Sequence, residues 1–208
     1  MNDTCVYTPH GFAPSGDYIS KAQDAGGVSD FISLNWSATV PPDTELRLQL
    51  RSATTQALLS GKSFVGPDGN ATTTYSVPGT RIWPGHNGDR WLQYKVCFLD
   101  PKCRSTPTVR DVTITYNRVP EVAGSLSPPD DIWLNNSRPA FSWNFSDADS
   151  PSQMAFQWQA DDERGFKTVD SDSGEVQETT TWYTPSSDMK DGVWYWRVRN
   201  KDCDGSWG

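Results

Sequence analysis

Histidine is almost missing from this chain and methionine is sparse, with two His and three Met in 208 residues. Neither His10 nor His86 lies in a nucleophile motif such as GxSxG, and no HExxH, phosphate loop or dinucleotide fingerprint occurs. The four cysteines, Cys5, Cys97, Cys103 and Cys203, include no CxxC pair, which removes the usual thiolate-zinc spacing. No run of about 18 apolar residues exists, so membrane insertion is not expected within this segment. A basic-plus-apolar leader is also missing, so an exported form is expected to have had its leader removed. No stretch combines a 3.6-residue apolar period with caps, and helix is expected in fewer than roughly a tenth of residues.

What the chain does have is tryptophan, ten in all, set among residues typical of short strands and many turns. Its net charge of -8 is unevenly spread. Residues 1–118 carry 11 Lys/Arg against 10 Asp/Glu, whereas residues 119–208 carry 7 against 16. Phosphate binding needs clustered cations, so nucleic acid is not expected as a partner.

Alternation of apolar and polar residues is the dominant pattern. Leu34, Trp36 and Ala38 alternate with polar neighbours, as do Leu46, Leu48 and Leu50, then Leu92, Tyr94, Val96 and Phe98, then Val112, Ile114 and Tyr116. Strands are expected at Phe31–Val40, Glu45–Ser52, Arg90–Leu99 and Thr108–Asn117, with weaker ones at Asp17–Ala22 and Thr72–Val77. Asn117-Arg118-Val119-Pro120 ends the last strand of the first half and starts the linker. Beyond it, Phe141, Trp143 and Phe145 form one inward set and Phe156, Trp158 and Ala160 the next. Further strands are expected at Phe166–Val169, Thr179–Thr184 and Trp194–Val198. The fold class is therefore all-β: two antiparallel β-sandwich domains in tandem, residues 1–118 and 119–208.

The second half resembles a fibronectin type III/immunoglobulin-like domain of the kind repeated in archaeal and bacterial surface proteins. The residues that carry the resemblance are Arg138-Pro139-Ala140-Phe141-Ser142-Trp143, Asp147-Ala148-Asp149, Gln153 to Gln159, Tyr183-Thr184-Pro185 and Asp191 to Asp204. The first half is similar, more loosely, to a jelly-roll-like accessory module, through Leu46 to Arg51, Val65-Gly66-Pro67-Asp68-Gly69, Asn87 to Tyr94 and Thr106 to Ile114. The resemblance implies an extracellular or cell-surface setting and a non-catalytic adhesion, spacer or surface-structure role within a larger protein. Its partners would be neighbouring domains or a surface assembly. The rival reading is a carbohydrate-binding accessory module of a secreted hydrolase, with glycans as ligands. Such a domain has a further strand after the loop holding Asp202 and Asp204, and residues 119–208 lack it. Either a longer polypeptide or another chain is expected to supply that strand.

Several residues are candidates for chemistry. Trp83, His86, Asn87, Asp89 and Trp91 put aromatic faces and hydrogen-bonding groups within nine residues, which suits sugar stacking. The competing reading is that the two Trp close a sandwich edge over a turn. Asp147 and Asp149 in one loop, with Asp202 and Asp204 in another at the same end of such a sandwich, could hold calcium, a cation that takes six to eight oxygens. They could equally be Asp-rich turns bonded to their own backbone. Cys97 and Cys103, separated by Phe-Leu-Asp-Pro-Lys, are expected to form a disulfide across a turn, worth about 2–3 kcal/mol. Cys5 and Cys203 fall in different halves and are not expected to pair. Trp182 is expected to point outward, at an interface or beneath the linker. Asn-X-Ser/Thr triplets at Asn2, Asn35, Asn70, Asn135 and Asn144 are compatible with glycosylation, and Asn35 and Asn144 lie at outward strand positions. Carboxylates are plentiful, but two small sandwiches offer no long loop-built cleft for glycoside hydrolysis, so no enzyme activity and no required cofactor is expected.

Overall fold

The computed structural model describes residues 13–149 and 152–208. The protein is all-β, 45% strand and 5% helix, with antiparallel sheets. The chain divides into two compact units, Met1–Asn117 and Arg118–Gly208. Cys5, His10 and Asn2 lie outside the described residues.

The first unit is built on β1 (Ser15–Ile19), β2 (Gln23–Thr39), β3 (Glu45–Ala53), β4 (Thr80–Arg81), β5 (Asp89–Leu99) and β6 (Thr108–Arg118). β5 is the central strand. It pairs β3 in continuous register from Glu45↔Leu99 to Ala53↔Trp91, and β1 from Ser15↔Leu99 to Ile19↔Lys95. The start of β2 also pairs β5, but its register slips between Asp24 and Ser29. Gly26 and Gly27 lie in that slip, and Gly26 has φ 85°, a conformation glycine adopts without a Cβ clash. Past this bulge β2 continues between β4 and β6. The six-stranded sheet thus folds over itself and buries the alternating residues Phe31, Leu34, Trp36, Leu46, Leu48, Leu50, Leu92 and Val96 between its halves. Tyr75 closes the core from a loop, through a single bridge to Leu48 and not through the strand expected at Thr72–Val77.

The second unit comprises β7 (Gly124–Ser127), β8 (Phe141–Asn144), β9 (Gln153–Asp161), β10 (Ser171–Asp172), β11 (Trp182–Tyr183) and β12 (Tyr195–Asp202). They form two three-stranded sheets, ordered β10-β9-β12 and β11-β8-β7. The core between them is aromatic: Phe141, Trp143, Phe156 and Trp158 are buried, with Tyr183, Trp194, Trp196 and Val198 packed against them. The strand expected at Phe166–Val169 does not form. Phe166 has φ 47°, a left-handed backbone that breaks extended pairing, and pairing resumes only at β10.

The expected Cys97–Cys103 bridge is not formed: Cys97 carries a free thiol. Cys97 sits within β5, paired across to Arg47 and to Asp17, while Cys103 lies beyond the end of that strand at φ 55°. The next strand, β6, pairs β2 and not β5, so the two cysteines never become cross-strand neighbours. Cys103 is itself disulfide-bonded. Alkylation of unfolded, unreduced protein is therefore expected to label Cys97 and spare Cys103. Peptide mass spectrometry showing Cys97 protected would contradict the assignment.

Candidate functional site

The Trp83–Trp91 loop is a structural plug. Pro84–His86 form one tight helical turn, in which His86 N–H donates to the carbonyl of Trp83 at 3.1 Å. Gly69 and Gly85 press directly on the Trp83 ring, and a Cβ at either position would overlap it. The His86 ring meets Trp83 edge-on at 5.4 Å. The sugar-stacking surface expected of Trp83 is therefore occupied by the protein's own backbone. The polar groups of the loop are equally committed. Asn87 Oδ1 accepts the N–H of Phe31 at 3.0 Å, and Asp89 Oδ2 accepts the Ser52 hydroxyl at 2.6 Å. Trp91 lies in β5 opposite Ala53 and Asp24, with the Arg90 guanidinium 5.8 Å from its ring and salt-bridged to Asp24.

Ser52, His86 and Asp89 look at first like catalytic components, but they are wired in the wrong order. Ser52 Oγ lies 2.7 Å from His86 Nδ1 and 2.6 Å from Asp89 Oδ2, so serine occupies the middle position that histidine holds in a hydrolytic triad. Both distances are met when Ser52 donates to Asp89 and His86 Nδ1–H donates to Ser52. Ser52 and His86 are 5% and 3% exposed, which leaves the hydroxyl out of reach of any substrate carbonyl. His86 Nε2 has no hydrogen-bond partner among the described residues. Burial pulls the His86 pKa down to about 4 and outweighs the nearby Asp89 charge, which pulls the other way. The cluster pins the loop to β3 through the buried Ser52 and His86 side chains.

The four aspartates expected to converge on calcium do not assemble. Asp149 is consumed by Arg118, whose guanidinium lies 2.5 Å away, and this pairing holds its pKa below the usual carboxylate range. Asp147 Oδ1 accepts the N–H of Asp149 at 2.7 Å. Asp202 is fully buried, and its Oδ1 accepts the N–H groups of Asp204 and Ser206, both at 2.9 Å. These are the turn-closing bonds that short Asp side chains make with local backbone. Trp182 is exposed at the edge of its sheet, as expected, while Tyr183 turns inward. Asn35 and Asn144 are exposed. Trp133, 94% exposed in the loop before β8, is an apolar surface residue that the strand pattern gave no reason to single out.

A different surface carries organised polar chemistry, the outer face of the β10-β9-β12 sheet. The register sets Arg197 opposite Gln159 and Arg199 opposite Gln157. Arg197 Nε donates to Gln159 Oε1 at 2.8 Å and Arg199 Nε to Gln157 Oε1 at 2.9 Å. Both glutamine amides donate in turn to the Asp172 carboxylate. Each guanidinium is also stacked, Arg197 on Phe166 at 4.3 Å and Arg199 on Trp207 at 4.4 Å. Arg197 and Arg199 line a groove of about 510 Å³ with Gln157, Gln159 and Val198.

No family model matches the chain, and no curated protein does. The arginine–glutamine array was legible in principle, since Gln157/Gln159 and Arg197/Arg199 share the outward phase of neighbouring strands. Only the register shows which glutamine meets which arginine.

Proposed function

We propose that this chain is a non-catalytic extracellular adhesion, spacer or surface-structure segment of a larger cell-surface or secreted protein, whose contact surface is the outer face of β10-β9-β12. The observation that carries this reading is the paired, stacked and amide-held array of Arg197 and Arg199. Two guanidinium groups fixed at Nε and against an aromatic ring lose little further freedom when a carboxylate binds their outer edges. Residues two apart on a strand are about 7 Å apart, so the face suits carboxylates presented at that spacing by a neighbouring domain. The acidity of residues 119–208, 7 Lys/Arg against 16 Asp/Glu, disfavours a polyanion and favours local contact with a few acidic groups. The rival carbohydrate-binding reading has less support, because Trp83, His86, Asn87 and Asp89 are spent on internal bonds.

The test is retention on a carboxylated matrix at low ionic strength. Despite its net charge of -8 the chain is expected to be retarded, and an Arg197→Gln/Arg199→Gln variant to elute in the void with an unchanged fold. Equal elution of the two proteins would count against the proposed face. A glycan array decides the rival: binding lost on Trp91→Ala, with folding intact, would favour the carbohydrate module.

A further inference from the structure

A second cluster of carboxylates stands away from the four aspartates singled out by sequence. Asp161, Asp162 and Asp170 each bring a ligand oxygen within 4.8 Å of the others, the one acidic or histidine/cysteine group of this kind among the described residues. Asp161 ends β9, and the other two stand at either end of the loop that leads to β10. A cluster of exposed acids would mean little, but Asp161 is only 1% exposed. Its Oδ1 accepts the N–H of Glu163 at 2.7 Å, while its Oδ2 is buried with no hydrogen-bond partner among the described residues.

A buried, unpaired carboxylate oxygen is among the costliest groups a fold can hold. Strand geometry holds the residue in place: Asp161 is locked opposite Tyr195, and Asp162 N–H donates to Asp170 Oδ2 at 3.3 Å, closing the loop over it. From Asp161 to Asp170 the chain carries Asp161, Asp162, Glu163 and Asp170 against Arg164 and Lys167. The net charge of that segment is -2, which one divalent cation would neutralise.

We infer that Asp161, Asp162 and Asp170 bind a hard divalent cation, calcium in preference to magnesium. The donors are all oxygens, and three carboxylates, each able to bind through one or two oxygens, supply three to six of the six to eight positions calcium takes, with water completing the shell. Magnesium demands a near-ideal octahedron and sheds its water reluctantly, which a partly exposed loop does not enforce. The cation would tie the end of β9 to the start of β10 and brace the loop bearing Phe166, on which Arg197 stacks.

The experiment is thermal unfolding and calorimetric titration of the whole chain after chelator treatment, with calcium and magnesium as separate probes. Calcium is expected to raise the melting temperature by several degrees, with a dissociation constant of about 0.1–1 mM, the range of extracellular modules. Asp161→Asn, nearly isosteric, is expected to abolish the calcium shift while folding at least as well as the parent in chelator. Asp162→Asn and Asp170→Asn, at exposed positions, are each expected to weaken binding at least tenfold while the chain still folds in chelator. Asp204→Asn is expected to leave the shift intact. No calcium-dependent shift or heat up to 10 mM, or a shift that survives both Asp161→Asn and Asp170→Asn, would overturn the assignment.

Discussion

Replacing Trp158 by alanine is expected to cost the second unit about 3–5 kcal/mol, a large fraction of what holds a small domain together. Trp158 is fully buried at the centre of β9, its ring 4.7 Å from Phe141 and 5.2 Å from Tyr183. Alanine leaves a cavity that these rings fill only partly. The substitution to phenylalanine separates packing from hydrogen bonding. Trp158 Nε1 has no partner among the described residues, so Trp158→Phe removes an unpaired donor along with part of the ring. Trp143, equally buried, donates from Nε1 to Gln153 Oε1 at 3.1 Å, and Gln153 in turn donates to the carbonyl of Thr180 at 2.6 Å. Trp143→Phe would strand the buried Gln153 oxygen. It is therefore expected to cost about 1–3 kcal/mol more than Trp158→Phe. Denaturant midpoints of the two variants check this, and an equal or reversed order would show that Trp143 is not anchored through its indole nitrogen.

The first unit is expected to lose about 3 kcal/mol as the pH falls from 6.5 to 4, through His86 alone. Burial holds its pKa at about 4 in the folded chain, below the 6.5 of an exposed histidine. In that window the unfolded chain binds the proton and the folded one does not. The stabilisation is therefore complete above pH 6.5 and fades as the pH drops towards 4. Below pH 4 the carboxylates that cations hold at low pKa add their own losses; Asp24, pulled down to about 2 by its hydrogen bond from Arg90, is one of them. The slope to measure is that of unfolding free energy against pH between 4 and 6.5, and His86→Gln should reduce it by close to one proton. A slope that His86→Gln leaves unchanged would mean that the imidazole is not buried in its neutral form.

Much of this molecule follows from alternation alone. A period of two over Leu46–Leu50, Leu92–Phe98, Phe156–Ala160 and Trp194–Val198 can bury one face only as strands, so the all-β class and most core residues can be read without coordinates. Local chemistry is likewise readable: an Asp two or so residues before a turn amide tends to cap it, as Asp147 and Asp202 do. Sequence does not carry the pairing partner. Cys97 and Cys103 are close in the chain, but β6 joins β2 instead of β5, and the short bridge fails for that reason. Trp83 and His86 carry the residue types of a sugar site, yet Gly69 packs against the Trp83 ring and Ser52 holds a buried His86. Conversely, nothing in the alternation marks Asp161, and only the closure of the loop from Asp162 to Asp170 makes it part of a cluster. Strand identity is set by the periodicity of neighbouring residues. A site is set by which distant strands share hydrogen bonds, and that choice is made by the whole core.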